Sequence, residues 1–161
     1  MSPFVPIGSE HLFARGMNAF LYGDQPTAIS LLVPVLEAGM RAMVGAAGRT
    51  DTKLLEGGIE EVIGISAMIA NHKDVLNKVL SPAIVYCIDN LFVHEFGPKI
   101  RHYVCHGLTR DGTFYSDEYV YAGKFIFSLV LLPLINEKHW PAIKEEIALK
   151  VLLPDPGPMP E

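Results

Sequence analysis

The chain has 161 residues, of which half are apolar and 19% are charged, with a formal net charge of −5 at pH 7. This composition excludes a disordered chain and predicts one globular domain with a substantial core. It also argues against a protein whose whole surface binds nucleic acid, because such proteins usually carry a basic face. A local basic patch is still available from Lys99, Arg101 and Arg110.

The chain contains two cysteines, Cys87 and Cys105, and no C-x-x-C pair of the kind that binds metals. Because no signal peptide is evident at its N-terminus, we expect a cytoplasmic protein with reduced thiols.

The N-terminal half predicts two helices after an extended arm at residues 1–8. Ser9 can cap the first helix, which should end near Tyr22 at the Gly23-Asp24 turn. The second helix should begin at Asp24 or Thr27 and continue to about residue 45. Pro34 lies inside it and should kink it, because proline lacks the backbone donor that a helix needs.

The middle of the chain predicts shorter elements. Residues 45–52 should form a loop that can extend to residue 58, and the next segments predict short helices at 59–65, 67–71 and 73–80. Ser81 and Pro82 are typical of a helix start, with Ser81 as the N-cap of a helix that ends near Val93. No set of strands is evident.

The C-terminal third predicts a polar loop at residues 109–116 and then a long helix to about Ile135, capped by Ser116 or Asp117. This helix is apolar on nearly all sides, but its uninterrupted part is too short to span a bilayer. A last helix should cover residues 140–152, followed by a disordered proline-rich tail at 153–161. Together these elements predict one all-α domain at residues 9–152, an up-and-down bundle of four to five main helices.

The segment Gly97–Leu108 has the most distinctive pattern. A glycine and a proline precede a short helix, and Gly107 is a suitable C-cap. At about 100° per residue, one side of the helix collects the expected core-facing residues Ile100, Tyr103, Val104 and Gly107. The opposite side collects Arg101, His102, Cys105 and His106.

An arginine beside two histidines suits the cleavage of a phosphodiester. The guanidinium is always charged and matches phosphate oxygens, whereas a histidine can take up and release a proton near neutral pH. With RNA, the neighbouring 2′-hydroxyl can serve as the nucleophile, so this chemistry requires no metal or other cofactor.

The spacing from Arg101 to His106 resembles the R-x(4–6)-H motif of HEPN domains, which are all-helical and include many metal-independent RNases. The longer pattern G-P-x-x-R-H-x-x-x-H-G-L resembles one bacterial HEPN-like family of uncharacterised function. A second segment, Leu32–Arg41, resembles the L-V-P-x-x-E-x-x-x-R of the same family. The family's usual amide residue after the arginine is replaced here by His102.

This resemblance implies an endoribonuclease of the kind found in toxin–antitoxin and phage-defence systems. Arg101, His106 and His102 would be its catalytic residues, and Glu37 and Arg41 its supporting residues. The implied partners are RNA, a second copy of the chain in a homodimer, and an antitoxin or regulatory protein, with no membrane involved.

The same residues have other interpretations. His106 can be a buried structural histidine, and Arg101 a solvated charge or the partner of Glu37. His102 can be a second acid–base group, a phosphate donor or a surface residue, and the i, i+4 pair Glu37–Arg41 is better suited to structural support than to catalysis. Cys105 with His102 and His106 could bind a metal, but no further ligand is indicated.

Two other classes of function remain open from the sequence. The fold could bind a nucleotide or protein without cleaving it, or it could serve only as an interaction domain whose long apolar helix builds an assembly.

Overall fold

A computed structural model describes residues 2, 4–54 and 58–135. Across these residues the chain folds into seven α-helices and one two-stranded sheet: α1 (Glu10–Leu21), α2 (Gln25–Ala46), β1 (Thr52–Leu54), β2 (Glu60–Val62), α3 (Ile65–Asn71), α4 (Lys73–Leu80), α5 (Pro82–Phe92), α6 (Ile100–Cys105) and α7 (Asp117–Ile135). A 3₁₀ turn at Asp111–Tyr115 precedes α7. The predicted all-α class is confirmed.

Helix α2 forms the centre of the domain. Its first turn is capped by Asp24, whose Oδ1 accepts a hydrogen bond from the Thr27 N–H at 3.2 Å. The helix packs against α1, α3, α4, α6 and α7, so nearly every apolar side chain along it is buried. The helix continues through Pro34, which is exposed to solvent. Water can therefore reach the helix surface where the proline ring removes a donor.

By length and composition, α2 could also cross a membrane. Its buried apolar residues, among them Ile29, Leu32 and Met40, instead form the middle of the hydrophobic core. A core helix of a soluble protein meets the same composition test, and the burial of α2 favours a soluble protein.

The β1–β2 hairpin was not predicted. Its antiparallel register pairs Lys53 with Glu61, and their side chains form an ion pair at 2.7 Å. The predictions of a loop through residue 58 and a helix from residue 59 are therefore wrong. A short apolar run such as Ile59, Val62 and Ile63 is compatible with either helix or strand, and periodicity alone does not separate them.

Helices α3 to α5 follow the prediction closely, except that α3 begins at Ile65 and α5 ends at Phe92. Ser81 occupies the N-cap position of α5 and Pro82 begins the helix, as predicted. Ser81 has a φ of 79° and makes no side-chain hydrogen bond to the first turn of α5. Pro82 favours extended values of ψ for the residue before it, and the ψ of Ser81 is 150°.

Helix α7 begins at Asp117, as predicted, and buries one side. Tyr119, Ala122, Ile126 and Leu129 lie in the core, while Tyr121 and Phe127 are exposed. At the other end of the chain, Phe4 and Val5 of the predicted arm are buried. The predicted helix at residues 140–152 and the predicted tail at 153–161 lie outside the described residues.

Candidate phosphate-binding site at helix α6

Helix α6 is shorter than predicted, because it begins at Ile100 rather than at Pro98. Lys99, just before it, adopts the left-handed conformation with a φ of 47°. Gly97 lies against α5, where an added Cβ would come within 2.0 Å of the Asn90 carbonyl oxygen. The entry to α6 therefore depends on a residue without a side chain.

The end of α6 agrees with the prediction. Gly107 has a φ of 66°, and its N–H donates to the Val104 carbonyl at 3.2 Å. The Leu108 N–H donates to the Tyr103 carbonyl at 2.8 Å, which completes a Schellman motif. Six helical residues are thus held at both ends by local backbone geometry.

The burial of residues on the two sides of α6 agrees only in part with the prediction. Ile100 is fully buried and Val104 packs against the core. Tyr103 was predicted to face the core, but it is 41% exposed. A helix this short contacts the core through a single turn, so the core-facing side is narrower than the predicted stripe.

Glu37 of α2 binds Arg101 through two hydrogen bonds. Arg101 Nε donates to Glu37 Oε2 at 2.8 Å, and Arg101 Nη2 donates to Oε1 at 3.3 Å. Glu37 is only 8% exposed, so its charge requires a partner. The proposed pairing of Arg101 with Glu37 is confirmed, and it fixes the guanidinium against the central helix.

The same carboxylate also holds Arg41. Arg41 Nη2 donates to Glu37 Oε1 at 3.1 Å and to the Ile63 carbonyl, at the end of the hairpin, at 3.4 Å. The i, i+4 pair expected from the sequence is therefore present, but it is part of a partly buried cluster and not a surface pair. Two guanidinium groups share one carboxylate, which leaves one positive charge in excess.

The environment of this cluster raises the pKa of both Arg101 and Cys105, but for different reasons. The hydrogen bond to Glu37 raises the pKa of Arg101, outweighing the opposing effect of burial. Desolvation raises the pKa of the Cys105 thiol, outweighing the opposing charge of Arg101. Arg101 therefore stays charged, whereas Cys105 stays a thiol at neutral pH and is a poor nucleophile.

The side chains of His102 and His106 lie on the solvent-facing side of the segment Gly97–Leu108. Both His102 and His106 are exposed, and their ring centroids are 4.7 Å apart. The His102 ring also meets Tyr103 edge-on, with the centroids 5.6 Å apart. The interpretation of His106 as a buried structural residue is therefore wrong. In the described part of the chain, these histidines belong to no group of three or more His, Cys, Asp or Glu residues suited to a metal.

No protein-family model matches this chain, and no curated protein or solved structure is significantly similar to it. Function is therefore inferred from the side chains and their contacts.

One residue at this site was missed in the sequence. Gly64, which follows the hairpin, lies so close to Arg101 that an added Cβ would be 3.4 Å from Arg101 Nη2 and 3.8 Å from Glu37 Oε1. A side chain at this position would therefore be in van der Waals contact with the ion cluster. No local pattern signals this contact, because it joins the end of an unpredicted hairpin to a helix far along the chain.

Proposed function

We propose that the protein is a metal-independent endoribonuclease of the HEPN type, with Arg101 and His106 as its catalytic residues. The observation that best supports this proposal is that one short segment carries both a fixed arginine and two exposed imidazoles. Arg101 is held by the buried carboxylate of Glu37, and His102 and His106 follow on the same short segment. An oriented cation next to acid–base groups is what a phosphodiester needs for cleavage.

Arg101 would stabilise the negative charge that develops on the phosphate. A guanidinium has five N–H groups, and its contacts with Glu37 use Nε and Nη2. The N–H groups of Nη1 can therefore be directed at phosphate oxygens. Residues 97–110 contain three cations and no carboxylate, so this segment is locally basic in a chain with a net charge of −5.

The two histidines would move the protons. In the proposed reaction, His106 removes the proton of the 2′-hydroxyl as its oxygen attacks phosphorus, and the bond to the 5′-oxygen breaks. His102, whose ring lies 4.7 Å from that of His106, would protonate the departing 5′-oxygen. The products would carry 2′,3′-cyclic phosphate and 5′-hydroxyl ends, and no redox change or metal is involved.

The resemblance to toxin–antitoxin and phage-defence nucleases adds three expectations to this proposal. The protein would act in the cytoplasm, assemble as a homodimer and be controlled by an antitoxin or another regulatory protein.

One observation favours a second candidate function. The net charge of −5 weakens general attraction to a polyanion, which suits a module that binds a nucleotide or a protein without cleaving it. In that case Arg101 would only bind, and its contact with Glu37 would mainly support the fold.

The deciding experiment is RNA cleavage in EDTA. We expect the wild type to cut RNA and to leave DNA intact, because DNA lacks the 2′-hydroxyl. His106→Ala should reduce the rate by about a hundred- to ten-thousand-fold through the loss of proton transfer. Arg101→Lys should recover only part of the activity that Arg101→Ala loses, since an ammonium group cannot replace the planar fork.

Two controls make this result specific. His11→Ala and Arg15→Ala change exposed residues of the same types on α1 and should leave the rate unchanged. Thermal unfolding of each variant is also needed, because Arg101→Ala removes a partner of buried Glu37 and should destabilise the fold. A wild type that cuts no RNA, or whose activity EDTA abolishes, would contradict the proposed nuclease.

A further inference from the structure

A groove lies beside the motif helix, on the side of Tyr103. Its volume is about 350 Å³, and its walls come from α6, the following loop, the 3₁₀ turn and the start of α7. This volume is at the lower end of the range of roughly 300–1,000 Å³ that is typical of small-molecule sites. The groove therefore has room for one nucleoside, but not for a peptide helix or a nucleic-acid duplex.

The groove borders the side of α6 that carries Tyr103, and Arg101, His102 and His106 are not among its lining residues. Tyr103 forms part of its wall, and the Tyr103 ring meets His102, which in turn lies beside His106. The ring centroid of Tyr103 is 5.6 Å from that of His102, and the centroid of His102 is 4.7 Å from that of His106. A nucleoside in the groove would therefore lie on the side of α6 that carries the two histidines.

The groove offers both an aromatic surface and polar groups. Tyr103 is partly exposed, so a planar ring can stack on it. Thr109 and Tyr119 share a hydrogen bond at 3.2 Å between their hydroxyls, and Arg110 and Glu118 bring one positive and one negative charge to the wall. Donors and acceptors are therefore both present for the edge of a base.

We infer that this groove binds one unpaired nucleobase of a single-stranded RNA, stacked on Tyr103 on the side of α6 next to the two histidines. This inference rests on the proposed function, because it gives the substrate class of the same site. An unpaired base is required, since in a duplex the base faces are stacked on their neighbours and cannot reach a side chain.

The test measures binding separately from cleavage. The probe is a short single-stranded 2′-O-methyl RNA of mixed sequence, in which the proposed nucleophile is blocked, and its Kd is measured by fluorescence anisotropy. Tyr103→Ala should weaken binding by about fivefold to a hundredfold, the usual effect of losing one aromatic stacking partner. Tyr103→Phe keeps the ring and should stay close to the wild type.

Two comparisons show whether the effect belongs to a base in the groove. Tyr22→Ala removes a tyrosine that is 84% exposed at the end of α1, and it should not change the Kd. An abasic 2′-O-methyl probe of the same length keeps every phosphate. It should bind the wild type more weakly than the base-containing probe and should be insensitive to Tyr103→Ala.

The outcomes distinguish this inference from the proposed function. Binding that depends on Tyr103 but is accompanied by no RNA cleavage would support the groove and contradict the nuclease. RNA cleavage in which neither the Kd nor KM responds to Tyr103→Ala would support the nuclease and overturn the inference. A duplex probe that binds as tightly as the single strand, or a probe that does not bind at all, would also overturn it.

Discussion

At the scale of single residues, Glu37 has the greatest influence on the candidate site. Its carboxylate lies on the central helix α2 and accepts hydrogen bonds from Arg41 and Arg101. A buried carboxylate without partners would be unfavourable by several kcal/mol. In the proposed nuclease, Glu37 would therefore be a positioning residue, because it would act on the substrate only through the arginine that it holds.

We expect Glu37→Gln to lower the free energy of unfolding by about 2–3 kcal/mol, because the amide offers one oxygen where two guanidinium groups need several acceptors. RNA cleavage should fall further than the folded fraction does, since Arg101 is then free to move. Urea denaturation and initial rates at a temperature where the variant is folded would measure the two effects.

Glu61→Gln is a suitable control for this change. Glu61 also forms an ion pair, with Lys53, but both side chains are about half exposed. Its loss should change stability by less than about 0.5 kcal/mol. Equal effects of the two substitutions would show that Glu37 has no special role.

The sequence predicted this ion cluster only in part. The Glu37–Arg41 spacing is a local helical pattern, and the pairing of Arg101 with Glu37 was one of two alternatives, the other being a solvated charge. The exposure of Tyr103 and the contact of Gly64 with Arg101 depend on how distant segments pack. Periodicity within one helix contains no information about such contacts.

At the scale of secondary structure, the approach of the chain to α6 is the most constrained connection near the site. Gly97 meets the carbonyl of Asn90 on α5, and its own N–H donates to the His94 carbonyl at 3.0 Å. A side chain at this position would push the backbone of the connection away from α5. The position of Arg101 would move with it.

We expect Gly97→Ala to lower the free energy of unfolding by about 1–3 kcal/mol, since the atom it would meet belongs to the backbone and cannot rotate away. Gly45→Ala, within α2, has nothing within 4 Å of the added Cβ and should be neutral or stabilising by up to about 1 kcal/mol. Urea denaturation of both variants would test this, and equal stabilities would contradict the close contact.

Long elements with clear start signals were predicted well, as α1, α2 and α7 show. The hairpin was missed because Glu60, Glu61 and Val62 are all exposed. Its strands consequently lack the alternation of buried and exposed residues that identifies a strand in a sequence. The strands are identified by their backbone pairing, which cannot be recognised from the order of side chains in the sequence.

At the scale of the whole molecule, the outer side of α7 is the surface on which we expect the domain to assemble. Its inner side fills the core, but Tyr121 and Phe127 face solvent, and Phe125 and Val130 are only partly covered. A contiguous exposed apolar surface often marks a protein interface.

We expect a homodimer that uses this outer side of α7, and light scattering at micromolar concentration should give twice the chain mass of 17.7 kDa. Phe127→Glu should shift the mass toward the monomer by placing a charge in the interface. Phe96→Glu, on the connection before α6, changes a phenylalanine that is more exposed and should leave the dimer intact. A wild type that is strictly monomeric would contradict the prediction.

The shared carboxylate of Glu37 also has a consequence for how this sequence can change in evolution. Losing the acid alone would leave two arginines repelling each other, and losing Arg101 alone would leave the acid with Arg41 as its partner. Replacing all three by apolar residues could preserve stability, because packed apolar groups substitute well for a buried ion cluster. In homologous sequences we therefore expect positions 37, 41 and 101 to vary together, and lineages that lost the cluster to keep the helical domain as an inactive descendant.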